Sequence, residues 1–218
     1  MRIFYDTEFL ESGPAEPVRL ISIGMVRDDG REYYAVSDEA TKRPLAGMIR
    51  KNDWLMANVV PALPKAHGDW NLYQPRRWLF NYSDPCVKPR PVIANEVREF
   101  ILGSDPSGAV PHVELWADWA AYDHVALCQL WGRMIDLPDG IPMWTHDLRQ
   151  ELERSGREKQ VPSMPGIRAH NALDDAREVK FRYEWLASQK TVTGMDKVQA
   201  AVRRSRGGGA PPQVRGFA

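Results

Sequence analysis

Residues 6–9 read Asp6-Thr7-Glu8-Phe9, closing the β-prone run RIFYD of residues 2–6. In a strand, residues two apart point to the same side, so the Asp6 and Glu8 carboxylates lie next to each other. Arg2 is the only cation nearby in sequence. Two like charges held side by side need a counter-charge, and oxygen ligands of this kind suit a divalent metal. Two readings of this stretch stand: a pair of metal ligands on a strand, or a strand that ends at Asp6 with both acids in water.

Outward from this stretch, VRLISIGMVRDDGREYYAV (residues 18–36) reads as a hairpin. Its two β-rich runs flank the turn signal Asp28-Asp29-Gly30. Three antiparallel strands therefore come first. A short helix is expected from Pro44 to about residue 51. Residues 61–91, rich in Pro, Trp, Tyr and Arg, read as an extended surface excursion. Then come a helix at 94–103, a strand at 112–117, a helix at 120–132, a short strand at 143–145, a helix from Asp147 and a last long helix at 171–188. This order predicts an α/β domain with a mixed sheet. The tail from Arg203, RRSRGGGAPPQVRGFA, has little to bury and is expected to be flexible.

The bulk properties are those of an ordinary globular chain of 218 residues. Lys plus Arg and Asp plus Glu both number 29, so net charge points to neither a nucleic-acid nor a membrane partner. No N-terminal apolar run resembles an export signal, and no segment is long and apolar enough to span a bilayer. Cys86 and Cys128 are then expected as reduced thiols in a cytoplasmic protein.

Two further acidic motifs follow. DWAAYD (residues 118–123) sits between a predicted strand and helix. Asp118 reads as a helix N-cap. Asp123 lies among apolar residues and needs a partner, either a salt bridge or a metal. In HNALDDA (residues 170–176), the helix buries Ala172, Leu173, Ala176, Val179, Tyr183 and Leu186 on one stripe. Asp174 falls opposite that stripe, toward solvent, and Asp175 at its edge. His170 reaches the same centre as Asp175 only from before or at the helix start; otherwise it is a capping or surface residue.

In order and context, D-x-E on the first strand, an Asp after a later strand and H-x-x-x-x-D at the last helix resemble the DEDDh branch of the RNase H-like exonucleases. The similarity covers about residues 1–190. Asp6 and Glu8 match the first motif, and His170 and Asp175 the third. In the second, the family often shows His-Asn-x-x-Phe-Asp. Here Asp118 and Trp119 occupy the His-Asn positions and Asp123 the metal-ligand position. The DTEF, DWAAYD and HNALDD versions are most similar to the RNase AS subfamily of polyadenylate-preferring 3′-exoribonucleases.

The resemblance implies an α/β RNase H-like (DnaQ-type exonuclease) domain over 1–190, with a basic tail over 191–218. It implies that Asp6, Glu8, Asp123 and Asp175 hold two Mg²⁺ or Mn²⁺ ions and that His170 is the general base. The substrate would be a single-stranded RNA 3′ end, with Thr7, Phe9 and Trp119 as substrate-binding residues. Phe9 reads equally as a core residue. The stretch from Trp70 to Trp78, with Arg76 and Arg77, reads as an RNA wall or a dimer contact. Phe181 and Trp185, opposite the apolar stripe, are expected as exposed aromatics at a homodimer surface. A DNA-directed exonuclease and a non-catalytic RNA-binding module are the rival readings.

Overall fold

The computed structural model describes residues 1–14, 16–65, 81–103 and 112–206, with side chains through residue 189. The central strand β1 (Arg2–Leu10) pairs antiparallel with β2 (Arg19–Arg27), and β2 antiparallel with β3 (Glu32–Ser37). Both acids of the opening stretch therefore lie within a strand. The expected hairpin and its turn at Asp28-Asp29-Gly30 are present. After the short helices α1 (Leu45–Ile49) and α2 (Asp53–Asn58), the two-residue strand β4 (Val87–Lys88) joins β3 in parallel. Helix α3 (Arg90–Leu102) leads to β5 (Glu114–Ala117), parallel to β1, and α4 (Ala121–Cys128) leads to β6 (His146–Asp147), parallel to β5. The chain continues through α5 (Leu148–Arg154) into α6 (Ala172–Arg206). The result is a six-stranded mixed sheet in the order β4-β3-β2-β1-β5-β6, flanked by helices.

Alternation along β1 sorts its side chains between two layers. Ile3 and Tyr5 pack with Ile93, Val97 and Ile101 of α3 and Leu127 of α4. Phe4 packs on the other face with Leu148 and Leu152 of α5 and Val179 and Leu186 of α6. Burying each such side chain is worth about 1.5–3 kcal/mol. The same alternation carries Asp6 and Glu8 onto the α6 side, just beyond Phe4.

Several boundaries differ from the sequence expectation. Helix α3 starts at Arg90 because Pro91 falls in its first turn, where proline lacks only a hydrogen bond that would go unmade anyway. Strand β6 forms at His146-Asp147 and not at 143–145, since Met143 and Trp144 are exposed. Asp118 is not the N-cap of α4, a position held by Ala120. Asp174 is not turned to solvent: it is largely buried and paired with Arg177 at 2.6 Å. Phe181 and Trp185 are half-buried, and Trp185 packs against the Phe4–Trp116–Leu186 cluster. The exposed-aromatic surface expected there is absent, because the sheet and α5 cover a wider arc of α6 than its apolar stripe suggests. Helix α6 runs on to Arg206, through residues assigned to the tail. Residues 66–80, with Trp70, Arg76, Arg77 and Trp78, lie outside the described residues, as do 207–218. Cys86 and Cys128 are free thiols. Among the described residues, no helix is long and apolar enough to cross a membrane.

One glycine sets how closely α6 meets the sheet. Gly24 pairs with Asp6 across β1 and β2. A Cβ placed on it would meet the backbone carbonyl of Ala172 and the amide of Leu173 at 2.2 Å. The first turn of α6 rests directly on this position. Gly24→Ala is expected to destabilise the fold by about 1–3 kcal/mol, the usual cost of overpacking against atoms that cannot move aside. Gly47→Ala, where a Cβ meets open space, is expected to be neutral or slightly stabilising. Urea unfolding of both variants decides the matter: equal midpoints would contradict the close approach.

Candidate active site

The site forms where β1 outruns its neighbour. Strand β5 pairs with β1 only from Arg2 to Phe4, so the β1 edge beyond it needs another hydrogen-bond partner. Asp123, in the first turn of α4, supplies one. Its Oδ1 accepts from the Thr7 backbone N–H at 2.8 Å and from the Thr7 hydroxyl at 2.6 Å. Thr7 is buried, and its hydroxyl is committed to holding Asp123. The residue between the two acids of the first motif thus fixes the acid of the second.

The third motif enters from the start of α6. Asn171 is buried as its N-cap. Its Oδ1 accepts from the Asp174 N–H at 3.2 Å, and its Nδ2 donates to the Ala62 carbonyl at 3.0 Å. His170, just before the cap, has φ +63°. That left-handed turn brings its ring back toward β1, with Nδ1 3.8 Å from Glu8 Oε1. Its backbone N–H donates to the Asp175 carboxylate. Ligand atoms of Glu8, His170 and Asp175 all lie within 4.8 Å of one another. Trp54 of α2 meets the His170 ring edge-on, centroids 5.0 Å apart.

These residues line one cleft of about 680 Å³, together with Asp6, Asp123 and an aromatic rim. Phe9 stacks on Tyr122 at 5.9 Å, so it lies in the cleft wall. Trp119 is 68% exposed, and the Arg149 guanidinium sits 5.1 Å over its ring. Trp119 (φ +59°) and His170 are the two non-glycine residues with positive φ among the described residues, and both face this cleft. Such conformations are costly and concentrate where function holds the backbone in place. The structure therefore brings together Asp6, Glu8, Asp123, His170, Asp175, Phe9 and Trp119. The sequence reading missed Trp54 and Tyr122. It also missed Glu178 and Arg182, whose spacing of three and seven residues from Asp175 was a readable signal of one helix face.

The electrostatics of the floor are unbalanced. Among the described residues, no Lys or Arg forms an ion pair with Asp6, Glu8, Asp123 or Asp175. Burial, then the charges of Asp123, Glu8 and Asp175, push the Asp6 carboxyl well above its ordinary value. Burial, with Asp175 and Asp123 nearby, raises Glu8 from 4.5 to about 8. Burial raises Asp123 and Asp175 to about 6 each, against the lowering hydrogen bonds from Thr7 and from the His170 N–H. A hard divalent cation fits this donor set of carboxylate oxygens and one imidazole, and would remove the repulsion.

The raised values have a consequence for stability. Without divalent cations, Asp6 and Glu8 bind more protons in the folded than in the unfolded chain, so stability falls as pH rises toward the folded pKa. Burial pushes His124 and His146 down, which acts in the opposite sense but only below about pH 6.5, where unfolded histidine titrates. In EDTA the thermal midpoint is expected to drop between about pH 6.5 and about 8.5, and Mg²⁺ to restore it most at the upper end. A flat profile that ignores Mg²⁺ in differential scanning fluorimetry would contradict the charge imbalance.

The sequence is similar to that of known proteins. The family model for the 3′–5′ exoribonuclease Rv2179c-like domain matches residues 1–184. Two proteins of Mycobacterium tuberculosis are each 40% identical to the chain over 190 residues: 3′–5′ exoribonuclease MT2234.1 of strain CDC 1551 and 3′–5′ exoribonuclease Rv2179c of strain H37Rv. The match spans 86% of this chain and 94% of each relative. The chain, acidic cleft included, belongs to the Rv2179c-like family of 3′–5′ exoribonucleases.

Proposed function

We propose that the cleft is a two-metal hydrolase site that removes 5′-mononucleotides one at a time from the 3′ ends of single-stranded, adenylate-rich RNA. The observation that carries this reading is the meeting of Asp6, Glu8, Asp123, Asp175 and His170 in one cleft, where, among the described residues, no Lys or Arg forms an ion pair with the four acids. The mixed sheet, with its antiparallel β1–β3 and parallel β5 and β6, supports the RNase H-like reading of the fold. The names of the relatives support RNA cleavage from the 3′ end. The adenylate preference rests on the likeness of the three motifs to the RNase AS subfamily.

Asp6, Glu8, Asp123 and Asp175 hold two Mg²⁺ or Mn²⁺ ions. Bound there, the ions supply Lewis-acid polarisation of the scissile phosphate and a lowered pKa for the attacking water. His170 takes the proton of that water at its imidazole, which is half-exposed to the cleft. Trp54 and the Asp175 contact to its backbone restrict where the ring points. Water attacks phosphorus, the bond from phosphorus to the 3′ oxygen of the preceding nucleotide breaks, that oxygen takes up a proton from solvent to become the new 3′-hydroxyl end, and a 5′-mononucleotide leaves. Phe9 and Trp119 present ring faces to unpaired bases, a contact worth about 1–3 kcal/mol per base. Thr7 serves by holding Asp123. Two chains associate as a homodimer, which sedimentation velocity tests, a purely monomeric species overturning it.

Asp6→Asn is expected to abolish Mg²⁺-dependent release of mononucleotides while circular dichroism stays unchanged. His170→Ala is expected to cost about 10²–10⁴ in kcat, the usual contribution of a general base. The decisive assay digests labelled homopolymer RNAs and matching DNAs with and without Mg²⁺. Intact RNA in the presence of Mg²⁺ and Mn²⁺ would sink the enzyme reading. Equal rates on all homopolymers would remove the adenylate preference, and equal rates on DNA would favour a DNA-directed exonuclease.

A further inference from the structure

Beside the acidic floor, four charged side chains close into one ion-pair cluster that the proposed chemistry does not use. Asp118 Oδ2, just past the end of β5, accepts from Arg182 Nη1 at 3.0 Å and from Arg149 Nη2 at 3.2 Å. The other end of the Arg182 fork, Nη2, donates to Glu178 Oε1 at 2.7 Å. The four side chains are between 13% and 23% exposed, so the contacts are shielded from bulk water and their loss is felt. Two arginines cancel two carboxylates, and the cluster brings no net charge to the floor.

The cluster's value lies in what it connects. Glu178 and Arg182 continue the face of α6 that carries Asp175. Asp118 begins the turn, with Trp119 in its left-handed conformation, that leads to Asp123. Asp123 reaches the floor from α4 and Asp175 from α6, and among the described residues the side-chain hydrogen bond that ties α6 to the turn before α4 runs from Arg182 to Asp118. We propose that Arg182 is a positioning residue: by bridging Glu178 and Asp118 it sets the separation of Asp175 from Asp123, and with it the geometry of the divalent-cation site. This inference rests on the reading of the floor as a cation site. Arginine suits the task because its planar fork grips two carboxylates in different directions at once, whereas a lysine is a single point of charge.

Geometry and charge make opposite predictions here. If Arg182 acted only through its charge, removing it would leave the neighbourhood more negative and tighten cation binding. If it acts by position, Arg182→Lys, which keeps the charge and loses the fork, already weakens binding. The test measures Mn²⁺ binding by electron paramagnetic resonance, together with kcat and KM on single-stranded RNA, for Arg182→Lys, Arg182→Met and Asp118→Asn. Folding is checked by circular dichroism. We expect Arg182→Lys to bind Mn²⁺ about 10–100-fold more weakly and to lose a comparable factor in kcat, as loss of a ligand-orienting partner does, with KM for RNA little changed. Added Mn²⁺ should recover part of that kcat, which it would not do for a merely unstable protein. Asp118→Asn keeps the side-chain shape and is expected to weaken Mn²⁺ binding in the same direction should the arginine variants not fold. Unchanged Mn²⁺ affinity in folded Arg182→Lys or Asp118→Asn, or tighter binding in Arg182→Met, overturns the proposal. Wild-type protein that binds no Mn²⁺ overturns the cation-site reading as well, and that result needs no variant.

Discussion

Repulsion among Asp6, Glu8, Asp123 and Asp175 is the constraint that the rest of the architecture serves. Each of the four carboxyls is held above its ordinary pKa, and burial is the largest cause every time. Partly buried acids that lack basic partners loosen a structure unless something fixes them in place. Here the fixing comes from hydrogen bonds to groups that carry no charge of their own: the Thr7 amide and hydroxyl on Asp123, and the His170 amide on Asp175. These bonds hold geometry without neutralising the floor.

The sheet makes this possible by ending unevenly. Because β5 pairs with β1 only as far as Phe4, the edge of β1 beyond it is free to bind Asp123. On the other side, Gly24 lets the first turn of α6 settle onto the strand pair at the level of Asp6. The apolar alternation that buries Ile3, Phe4 and Tyr5 continues without a break into Asp6, Thr7 and Glu8. Core and site share one strand, so the position of the acids inherits the rigidity of the core.

The surroundings divide into two chemistries. Toward Asp118, Arg149, Glu178 and Arg182 form a charge-balanced cluster beside the acidic floor. Toward the cleft mouth, Phe9, Tyr122, Trp54 and Trp119 form an aromatic rim. Bases with free faces suit such a rim, while a paired duplex keeps those faces stacked within itself. Under the proposed two-metal reading, an acidic floor within an aromatic wall also suits a chain of zero net charge: the favourable charge for phosphate would come with bound cations.

The sequence by itself determined the local elements whose signals are short in range, such as the hairpin around Asp28-Asp29-Gly30, while it left two readings each for the Asp6–Glu8 pair and for His170. The three motifs also singled out the acids that the structure brings into one cleft. Only the tertiary structure decided what those residues touch. That Thr7 holds Asp123, that Asp118 takes two arginines and caps no helix, and that Trp54 abuts His170 are contacts between residues separated by 31 to 116 positions. No local propensity encodes them. Helical periodicity misjudged Asp174, Phe181 and Trp185 for the same reason, since a helical wheel shows which residues share a face but not how much of the helix its neighbours will cover.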